Sequence, residues 1–303
     1  MSAQSESVRR TSVVDIAKLY ADGVRIPTVT AYDYPTAQLV DEAGIPLILV
    51  GDSLGQVMLG YDTTVRVTMD EMLHHAKAVV RGSKQALVVA DMPFLSYATS
   101  EDALENAGRF LRDAGVQAVK VEGGVRTART IEALVRAGIP VMGHIGLTPQ
   151  AINTLGRVRV QGKNREQARA LLADALAVQE AGAFSIVLEL LPGQLAEAVT
   201  ERLHIPTIGI GSGAGCSGQI QVVTDLLGLG TWTPRHARKY ADLHGVILEA
   251  LRGYRADTEA GTFPGSAETV LMDPDVLDEV LGRTAADRAD EIPSAGIPLD
   301  RDL

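Results

Sequence analysis

The sequence predicts an α/β protein built as a (β/α)8 TIM barrel, with an extra N-terminal helix and an acidic C-terminal tail. Eight short, nearly continuous apolar runs alternate with longer helical patterns, which is typical of parallel strands covered by helices. Several helical patterns end in Ala-Gly directly before the next apolar run, as at Gly44 and Gly138, where glycine provides a C-terminal cap. The length of 303 residues suits one barrel. An open, doubly wound sheet is the alternative, because the eighth run has the weakest strand pattern.

The order of the predicted elements follows from this alternation. Strands are predicted at Pro27–Ala31, Pro46–Gly51, Ala86–Asp91, Gln117–Glu122, Ile139–Gly143, Phe184–Glu189, Thr207–Gly211 and Ile220–Thr224. Helices are predicted at Pro35–Ala43, Met69–Arg81, Glu101–Ala114, Thr127–Ala137, Arg165–Ala181 and Gln194–Leu203. Ser12–Tyr20 is expected to form the additional helix and to close the bottom of the barrel. A last helical segment is predicted at His236–Arg252.

The predicted organisation is one barrel domain with two appendages. Residues 1–11 are expected to form a flexible N-terminus, residues 12–265 the barrel that carries the active site, and residues 266–303 a tail. From Asp257 to the end, 12 acidic residues stand against 3 arginines, and prolines interrupt the segment. A solvated or weakly ordered tail is therefore expected, and not a binding site.

Composition excludes several classes of partner. The net charge of −10 lies mostly in the tail, so the nearly neutral body gives no general clue about partners, and no nucleic-acid partner is expected. Aromatic residues make up 4% of the chain, too few for a surface that stacks bases or sugars. Cys216 is the only cysteine, which excludes an internal disulfide and fits a reducing compartment. Without a signal-peptide pattern or a membrane-spanning apolar run, a soluble cytoplasmic protein with no membrane partner is expected.

Polar and ionisable side chains stand at the ends of five successive predicted strands, the second to the sixth. They are Asp52 with Ser53, Asp91, Lys120 with Glu122, His144, and Glu189. Because the carboxyl ends of barrel strands converge on one face, we expect these side chains to share one pocket. Grouped carboxylates repel one another unless a cation or protons compensate. A single Asp or Ser after a strand can instead cap the next helix.

An oxygen-only ligand set favours Mg²⁺ over zinc. Asp52 and Asp91 are the first candidates as ligands, with Glu122 as a third ligand or acting through water. Lys120 lies two residues before Glu122, so the two share a face of the strand. Lys120 is expected either to offset the charge of an anionic substrate or to form a structural ion pair.

Glu189 and His144 are the candidates for proton chemistry. Glu189 follows an apolar run, and apolar surroundings raise the pKa of a carboxylate and suit it to proton abstraction. His144 is a candidate hydrogen-bond donor to a developing oxyanion. Its alternative role is that of a satisfied structural histidine.

The glycine-rich run Gly209–Gly218 is open to two interpretations. Gly213, Gly215 and Gly218 match the G-x-G-x-x-G pattern of dinucleotide sites, but a strand-like segment follows instead of the required helix. After the seventh strand of a barrel, such a loop instead cradles a phosphate or lets a substrate approach the backbone. Cys216 is not favoured as a nucleophile, because no histidine is paired with it.

Seven segments, in order, resemble the signature blocks of the ketopantoate hydroxymethyltransferase family. They are "TAYDYPTA", "LVGDSLGQVMLGYDTT", "ADMPFLSYA", "VKVEGG", "GHIGLTPQ", "LELLP" and "IGIGSGAGCSGQI". The resemblance runs from about Ser12 to about Gly265. Many members have an aspartate where this chain has Ser217, and the tail beyond about Thr269 has no counterpart in the family pattern.

The resemblance implies transfer of a hydroxymethyl group from methylene-tetrahydrofolate to α-ketoisovalerate, through a Mg²⁺-stabilised enolate. The product would be ketopantoate, a precursor in pantothenate biosynthesis. The resemblance implies that Asp52, Asp91 and Glu122 form the metal site. It also implies that Ser53 and Lys120 contact the ketoacid beside the two aspartates, and that Glu189 is the catalytic base. The resemblance also implies a (β/α)8 barrel and a homo-oligomer, which is a decamer in many members.

Two other functions remain open. A Mg²⁺-dependent ketoacid lyase or mutase of the phosphoenolpyruvate/isocitrate-lyase barrel group also handles ketoacid enolates. Such enzymes typically carry a reactive cysteine in a lid loop, and no such motif follows the fourth strand here. A non-catalytic barrel is suggested only by Ser217 and the tail, and the intact Asp52, Asp91, Glu122 and Glu189 argue against it.

Overall fold

The computed structural model describes residues 9–284 and 297–298. Eight parallel strands close into one barrel in chain order, with the eighth hydrogen-bonded to the first. The strands are β1 (Ile26–Thr30), β2 (Leu47–Val50), β3 (Leu87–Asp91), β4 (Ala118–Glu122), β5 (Val141–Gly146), β6 (Ser185–Glu189), β7 (Thr207–Ile210) and β8 (Gly218–Gln221). The predicted (β/α)8 barrel is confirmed, and the open sheet is excluded.

Helices occupy most of the connections. They are α1 (Val13–Ala21), α2 (Tyr34–Glu42), α3 (Leu54–Val57), α4 (Met69–Gly82), α5 (Ser100–Arg109), α6 (Ala128–Arg136), α7 (Ile152–Leu155), α8 (Arg165–Glu180), α9 (Gly193–Arg202) and α10 (Val223–Leu227). A π-helical turn, Phe110–Ala114, extends α5. The alternation is broken once, because residues 211–217 connect β7 to β8 without a helix. These residues belong to the glycine-rich run.

Two apolar layers stabilise the barrel. Alternate strand residues, such as Leu47 and Leu87, pack with one another in the smaller layer, whereas their neighbours Ile48 and Val88 belong to the larger one. Since successive strand residues point to opposite faces, the smaller layer is the barrel interior and the larger one lies beneath the helices. Ile16 of α1 is fully buried in the interior layer, so α1 closes the end of the barrel where the strands begin.

Three predicted elements differ from the structure by more than two residues at a boundary. β5 continues through Gly146, three residues beyond its predicted end, so His144 lies within the strand. β8 begins at Gly218 and not at Ile220. The residue at this strand start has to be glycine, because a Cβ atom at Gly218 would lie 2.2 Å from the Ile26 carbonyl oxygen of β1. Glycine is required there, and its lack of an apolar side chain hides the strand start. The helix predicted from His236 was wrong at its start, because the helix begins only after the N-cap at residue 242.

Residues from Asp242 onward form a second compact unit. It contains α11 (Leu243–Ala260), α12 (Pro274–Leu281) and the parallel pair β9 (Val270–Leu271) and β10 (Ile297–Pro298). The predicted domain boundaries at residues 11 and 265 stay predictions, and the predicted flexible N-terminus and tail lie partly outside the described residues. In residues 9–284 and 297–298, none of the helices has the length and apolarity to cross a membrane.

A buried carboxylate anchors the segment that leads into β3. Asp41 of α2 accepts hydrogen bonds from Ser83 Oγ at 2.7 Å and from the backbone N–H groups of residues 84–86. Burial opposes its ionisation, but these donors outweigh burial and lower the pKa of Asp41. A single side chain therefore fixes the path of four residues.

Asp41→Asn is expected to lower the free energy of unfolding by about 1–3 kcal/mol at neutral pH, because an amide cannot satisfy all these donors. The lowered pKa makes this stabilisation present above about pH 3.9, the ordinary value, and lost as the pH falls through the folded-state pKa. Urea denaturation would measure both effects. The exposed Asp113→Asn serves as the control, and an equal loss in the two variants would contradict the anchoring role.

Candidate active site

A cavity of about 670 Å³ opens where the carboxyl ends of the barrel strands meet. The structure brings to its wall all seven residues that the sequence singled out. They are Asp52, Ser53, Asp91, Lys120, Glu122, His144 and Glu189. The closed barrel explains this convergence, since β2 to β6 are adjacent and end on the same face.

Asp52 and Asp91 stand side by side where β2 and β3 end. The backbone N–H of Asp52 donates to Asp91 Oδ2 at 3.0 Å, and both side chains are buried. Burial, followed by repulsion from Asp91 and Glu122, raises the pKa of Asp52 well above its ordinary value. Burial also raises the pKa of Asp91. Ser53 occupies the N-cap position of α3 without a side-chain capping bond, so helix capping explains neither polar residue.

Lys120 supplies positive charge inside this carboxylate cluster. Its Nζ atom lies 2.9 Å from Asp91 Oδ1 and 4.0 Å from Glu122 Oε1. Burial opposes its protonation, but the three carboxylates outweigh burial and raise the pKa of Lys120. The structural ion pair is therefore present, and a contact with substrate stays a prediction.

His144 lies between two glutamates. Its Nε2 atom is 3.1 Å from Glu189 Oε2, and its Nδ1 atom is 3.4 Å from Glu122 Oε1 and 3.0 Å from Lys120 Nζ. Burial and the Lys120 charge disfavour protonation, but the two glutamates outweigh them and raise the pKa of His144 to about 9. Glu122 is also buried, and its hydrogen bond with His144 lowers its pKa. His144 thus connects the carboxylate cluster to the glutamate of β6.

Glu189 is the more accessible of the two glutamates, with 16% of its side chain exposed against 2% for Glu122. Leu190, which follows it, has a positive φ of 50°, in the left-handed region that leucine rarely adopts. The Leu147 N–H donates to the Glu189 carbonyl at 2.8 Å, and the Leu190 N–H donates to the Ile210 carbonyl at 2.9 Å. The backbone on both sides of Glu189 is therefore held in place.

Gln150 and Tyr97 belong to the site, although their roles were not foreseen. Gln150 Nε2 donates to Asp52 Oδ2 at 2.8 Å and to the Met92 carbonyl at 2.9 Å, and Oε1 accepts from the Tyr97 hydroxyl at 2.5 Å. The Gln150 backbone N–H donates to Glu122 Oε2 at 3.1 Å. Both residues lie in segments that resemble signature blocks of the family, so the sequence did contain a signal for them. Their neutral side chains, however, give no electrostatic indication of a role in the site.

The cluster fits a hard divalent cation. Asp91 Oδ1 is buried and makes no well-aligned hydrogen bond within the described residues, and Gln150 contacts only one oxygen of Asp52. In the same part of the chain, no three His, Cys, Asp or Glu side chains form a complete ligand set. Mg²⁺ usually takes one or two carboxylates and keeps several waters, so a pair of aspartates suits it without a protein cage.

The glycine-rich connection leads away from the cavity. It runs from the carboxyl end of β7 to the start of β8, where the Ser217 carbonyl accepts from the Ile26 N–H at 3.1 Å. Ser217 therefore lies at the opposite end of the barrel, away from the charged residues of the cavity. Cys216 is buried, and burial raises the pKa of its thiol, the reverse of what an activated nucleophile needs.

Comparison with known proteins decides the family. The family model described as ketopantoate hydroxymethyltransferase matches residues 10–266. The chain belongs to this family. A relative named 3-methyl-2-oxobutanoate hydroxymethyltransferase from Chloroflexus aurantiacus is 61% identical over 274 residues, which cover 90% of this chain and 97% of the relative. One of the same name from Dehalococcoides mccartyi is 55% identical, covering 89% and 97%. Membership makes the chain an enzyme of ketopantoate synthesis.

Solved structures of more distant enzymes share the fold. Phosphonopyruvate hydrolase, in a complex with oxalate and Mg²⁺, superposes with a TM-score of 0.57 at 12% identity, covering 90% of this chain and 95% of that one. A 2,3-dimethylmalate lyase of the PEP mutase/isocitrate lyase superfamily gives 0.55 at 17% identity, with the same coverage. At these identities the likeness shows the barrel alone.

Lys120→Met is expected to lower the free energy of unfolding at pH 7 by about 3–5 kcal/mol, because it leaves buried carboxylates without their ammonium partner. The deficit should shrink as the pH falls, since Asp52 and Asp91 have raised pKa values and protonation removes their repulsion. Urea denaturation in metal-free buffer across pH 5–8 would measure it. The exposed Lys77→Met is the control, and a pH-independent deficit would contradict the electrostatic cause.

Proposed function

We propose that the enzyme makes ketopantoate by transferring a hydroxymethyl group from methylene-tetrahydrofolate to α-ketoisovalerate, with Mg²⁺ bound by Asp52 and Asp91. The observation that carries the proposal is the pairing of two environments in one cavity. A buried aspartate pair faces a separate, more exposed glutamate that contacts His144. The aspartate pair suits the binding of a metal and an anionic ketoacid, and the glutamate suits the role of proton acceptor. By family resemblance we also expect a homo-oligomer, a decamer.

The aspartate pair would hold Mg²⁺, with Glu122 completing the site directly or through water. When bound, Mg²⁺ supplies positive charge that stabilises negative charge developing on the keto oxygen. Lys120 and Ser53 would contact the substrate carboxylate. Ser53 Oγ lies 2.9 Å from the Tyr32 hydroxyl, which fixes the orientation of its side chain at the cavity wall.

Proton removal falls to Glu189. Its carboxylate takes the proton from C3 of α-ketoisovalerate, and the electron pair of that bond forms the enolate. His144 Nε2 lies 3.1 Å from Glu189 Oε2 and its Nδ1 atom lies 3.4 Å from Glu122 Oε1, so a protonated His144 places its positive charge between the two glutamates. It therefore positions the base, and Glu189 keeps the proton that it takes from C3.

Carbon–carbon bond formation follows from the nucleophilic C3. The enolate carbon attacks the one-carbon unit carried by the folate, and the overall transfer consumes one water, which supplies the hydroxyl group, and releases tetrahydrofolate. The residues of β2 to β6 account for activation of the ketoacid, so the folate has to approach from the remaining part of the cavity wall.

The lyase or mutase alternative shares the barrel but not the family. Its expected reactive cysteine is lacking in the sequence after β4, and the single cysteine is a buried thiol on the far side of the fold. Family membership and the paired environments of the cavity therefore favour the transferase.

Glu189→Gln is expected to lower exchange of the C3 proton of α-ketoisovalerate at least 100-fold, because the amide cannot accept the proton. Exchange into deuterated buffer with Mg²⁺, followed by NMR, measures this step without folate. Ketoacid binding by calorimetry should stay within a few-fold of wild type. Glu197→Gln, on the exposed face of α9, is the control. Undiminished exchange in Glu189→Gln would reassign the base.

Gln150→Leu is expected to weaken Mg²⁺ binding about 10- to 100-fold, because Asp52 loses the donor that orients it. Titration calorimetry with Mg²⁺ in the absence of substrate gives this affinity directly. Gln161→Leu is the matched control, since the Gln161 side chain bonds only the Arg159 carbonyl. Equal Mg²⁺ affinity in all three proteins would contradict the positioning role of Gln150.

A further inference from the structure

The catalytic groups occupy only part of the cavity. They lie on β2 to β6, whereas the segment that follows β8 supplies another section of the wall. Its members are Val222, Thr224, Asp225, Leu229, Trp232 and His236. A small branched ketoacid at the aspartate pair leaves this section free for a second ligand in the same space of about 670 Å³.

Asp225 is the unusual group in this section. It lies in the first turn of α10, lines the cavity, and is half-buried. Its carboxylate makes no hydrogen bond or ion pair with the part of the chain that the structure describes. Burial raises the pKa of Asp225, and the nearby His236 only partly opposes this. This half-buried carboxylate lacks the donors that usually compensate for burial.

A structural role does not account for this carboxylate. The N-cap of α10 is Val222, which has no side-chain capping bond, and Asp225 accepts no backbone N–H of the helix. Two further oxygens on the cavity wall, Thr224 Oγ1 and Thr64 Oγ1, are buried and have no hydrogen-bond partner among the described residues. The wall therefore combines the Asp225 carboxylate, which has no hydrogen-bond partner among the described residues, with the apolar surface of Leu229 and Trp232.

The complementary ligand is a flat ring whose edge carries two parallel N–H donors. We infer that Asp225 binds the pterin ring of the folate co-substrate, accepting hydrogen bonds from its ring N3–H and its 2-amino group. This inference rests on the proposed function, which makes a reduced folate the second substrate. The two oxygens of a carboxylate match such a donor pair, as they match the two donors of a guanidinium group. The apolar surface covers the faces of the ring.

Asp225→Asn tests the inference, because the amide keeps the shape of the side chain but loses one acceptor and the charge. We expect an approximately 10- to 100-fold rise in the KM for methylene-tetrahydrofolate and an equal loss of tetrahydrofolate binding in calorimetry, which corresponds to a charge-assisted pair. C3 exchange of α-ketoisovalerate, which needs no folate, should be unchanged, and this also shows that the variant is folded. Asp62→Asn, an exposed carboxylate on the same cavity, is the control.

A folate analogue without the 2-amino group makes the test specific. Wild type should bind it about 10- to 100-fold more weakly than tetrahydrofolate, whereas Asp225→Asn should discriminate much less between the two. Wild-type affinity for tetrahydrofolate in Asp225→Asn, or unchanged discrimination, would overturn the subsite. Failure of the proposed function gives a different result, in which the wild type itself exchanges the C3 proton but neither binds tetrahydrofolate nor transfers the one-carbon unit.

Discussion

The burial of three carboxylates at one end of the barrel is the constraint on which the site depends. Strand register compensates part of this negative charge, because Asp91 pairs laterally with Lys120 and Glu122 pairs laterally with His144. Each buried negative charge on β3 and β4 thus meets a cationic neighbour on the next strand, where the closest approach between strands occurs. Asp52 has no such neighbour, and its pKa is raised well above the ordinary value. Asp52 is therefore the carboxylate whose charge is least compensated, and a bound cation would be stabilised most strongly beside it.

The fold and the charged part of the site were predictable for a common physical reason. Parallel strands buried on both faces carry a continuous apolar pattern, and a barrel brings their carboxyl ends together, so Asp91 and Glu189 could be placed in one cavity from strand boundaries alone. Tyr97, Gln150 and Asp225 could not be placed in this way. They lie beyond the strands, in segments whose path depends on turn geometry and on tertiary hydrogen bonds. Periodicity does not encode such paths.

The cavity divides the chemistry between two parts of the chain. In the proposed mechanism, activation of the ketoacid belongs to β2 through β6, where the groups are buried and fixed by hydrogen bonds. Residues after β8 face the same space with the Asp225 carboxylate and with apolar surface, where we propose that the folate binds. The glycine-rich connection, which resembles a nucleotide-binding motif in sequence, takes part in neither, because it runs to the opposite end of the barrel at Ser217. Of the glycines in the Gly209–Gly218 run, Gly218 allows the close packing of β8 on β1.

Leu190, which follows Glu189, has a strained left-handed backbone conformation. A left-handed conformation costs a residue with a side chain about 1 kcal/mol, and glycine would adopt it freely. Glycine would also loosen the chain directly after Glu189, the proposed base, which in that role has to reach a substrate carbon with little tolerance in distance. Stability and reactivity therefore place opposite demands on this position, since glycine would relieve the strain and leucine keeps the backbone beside the proposed base rigid.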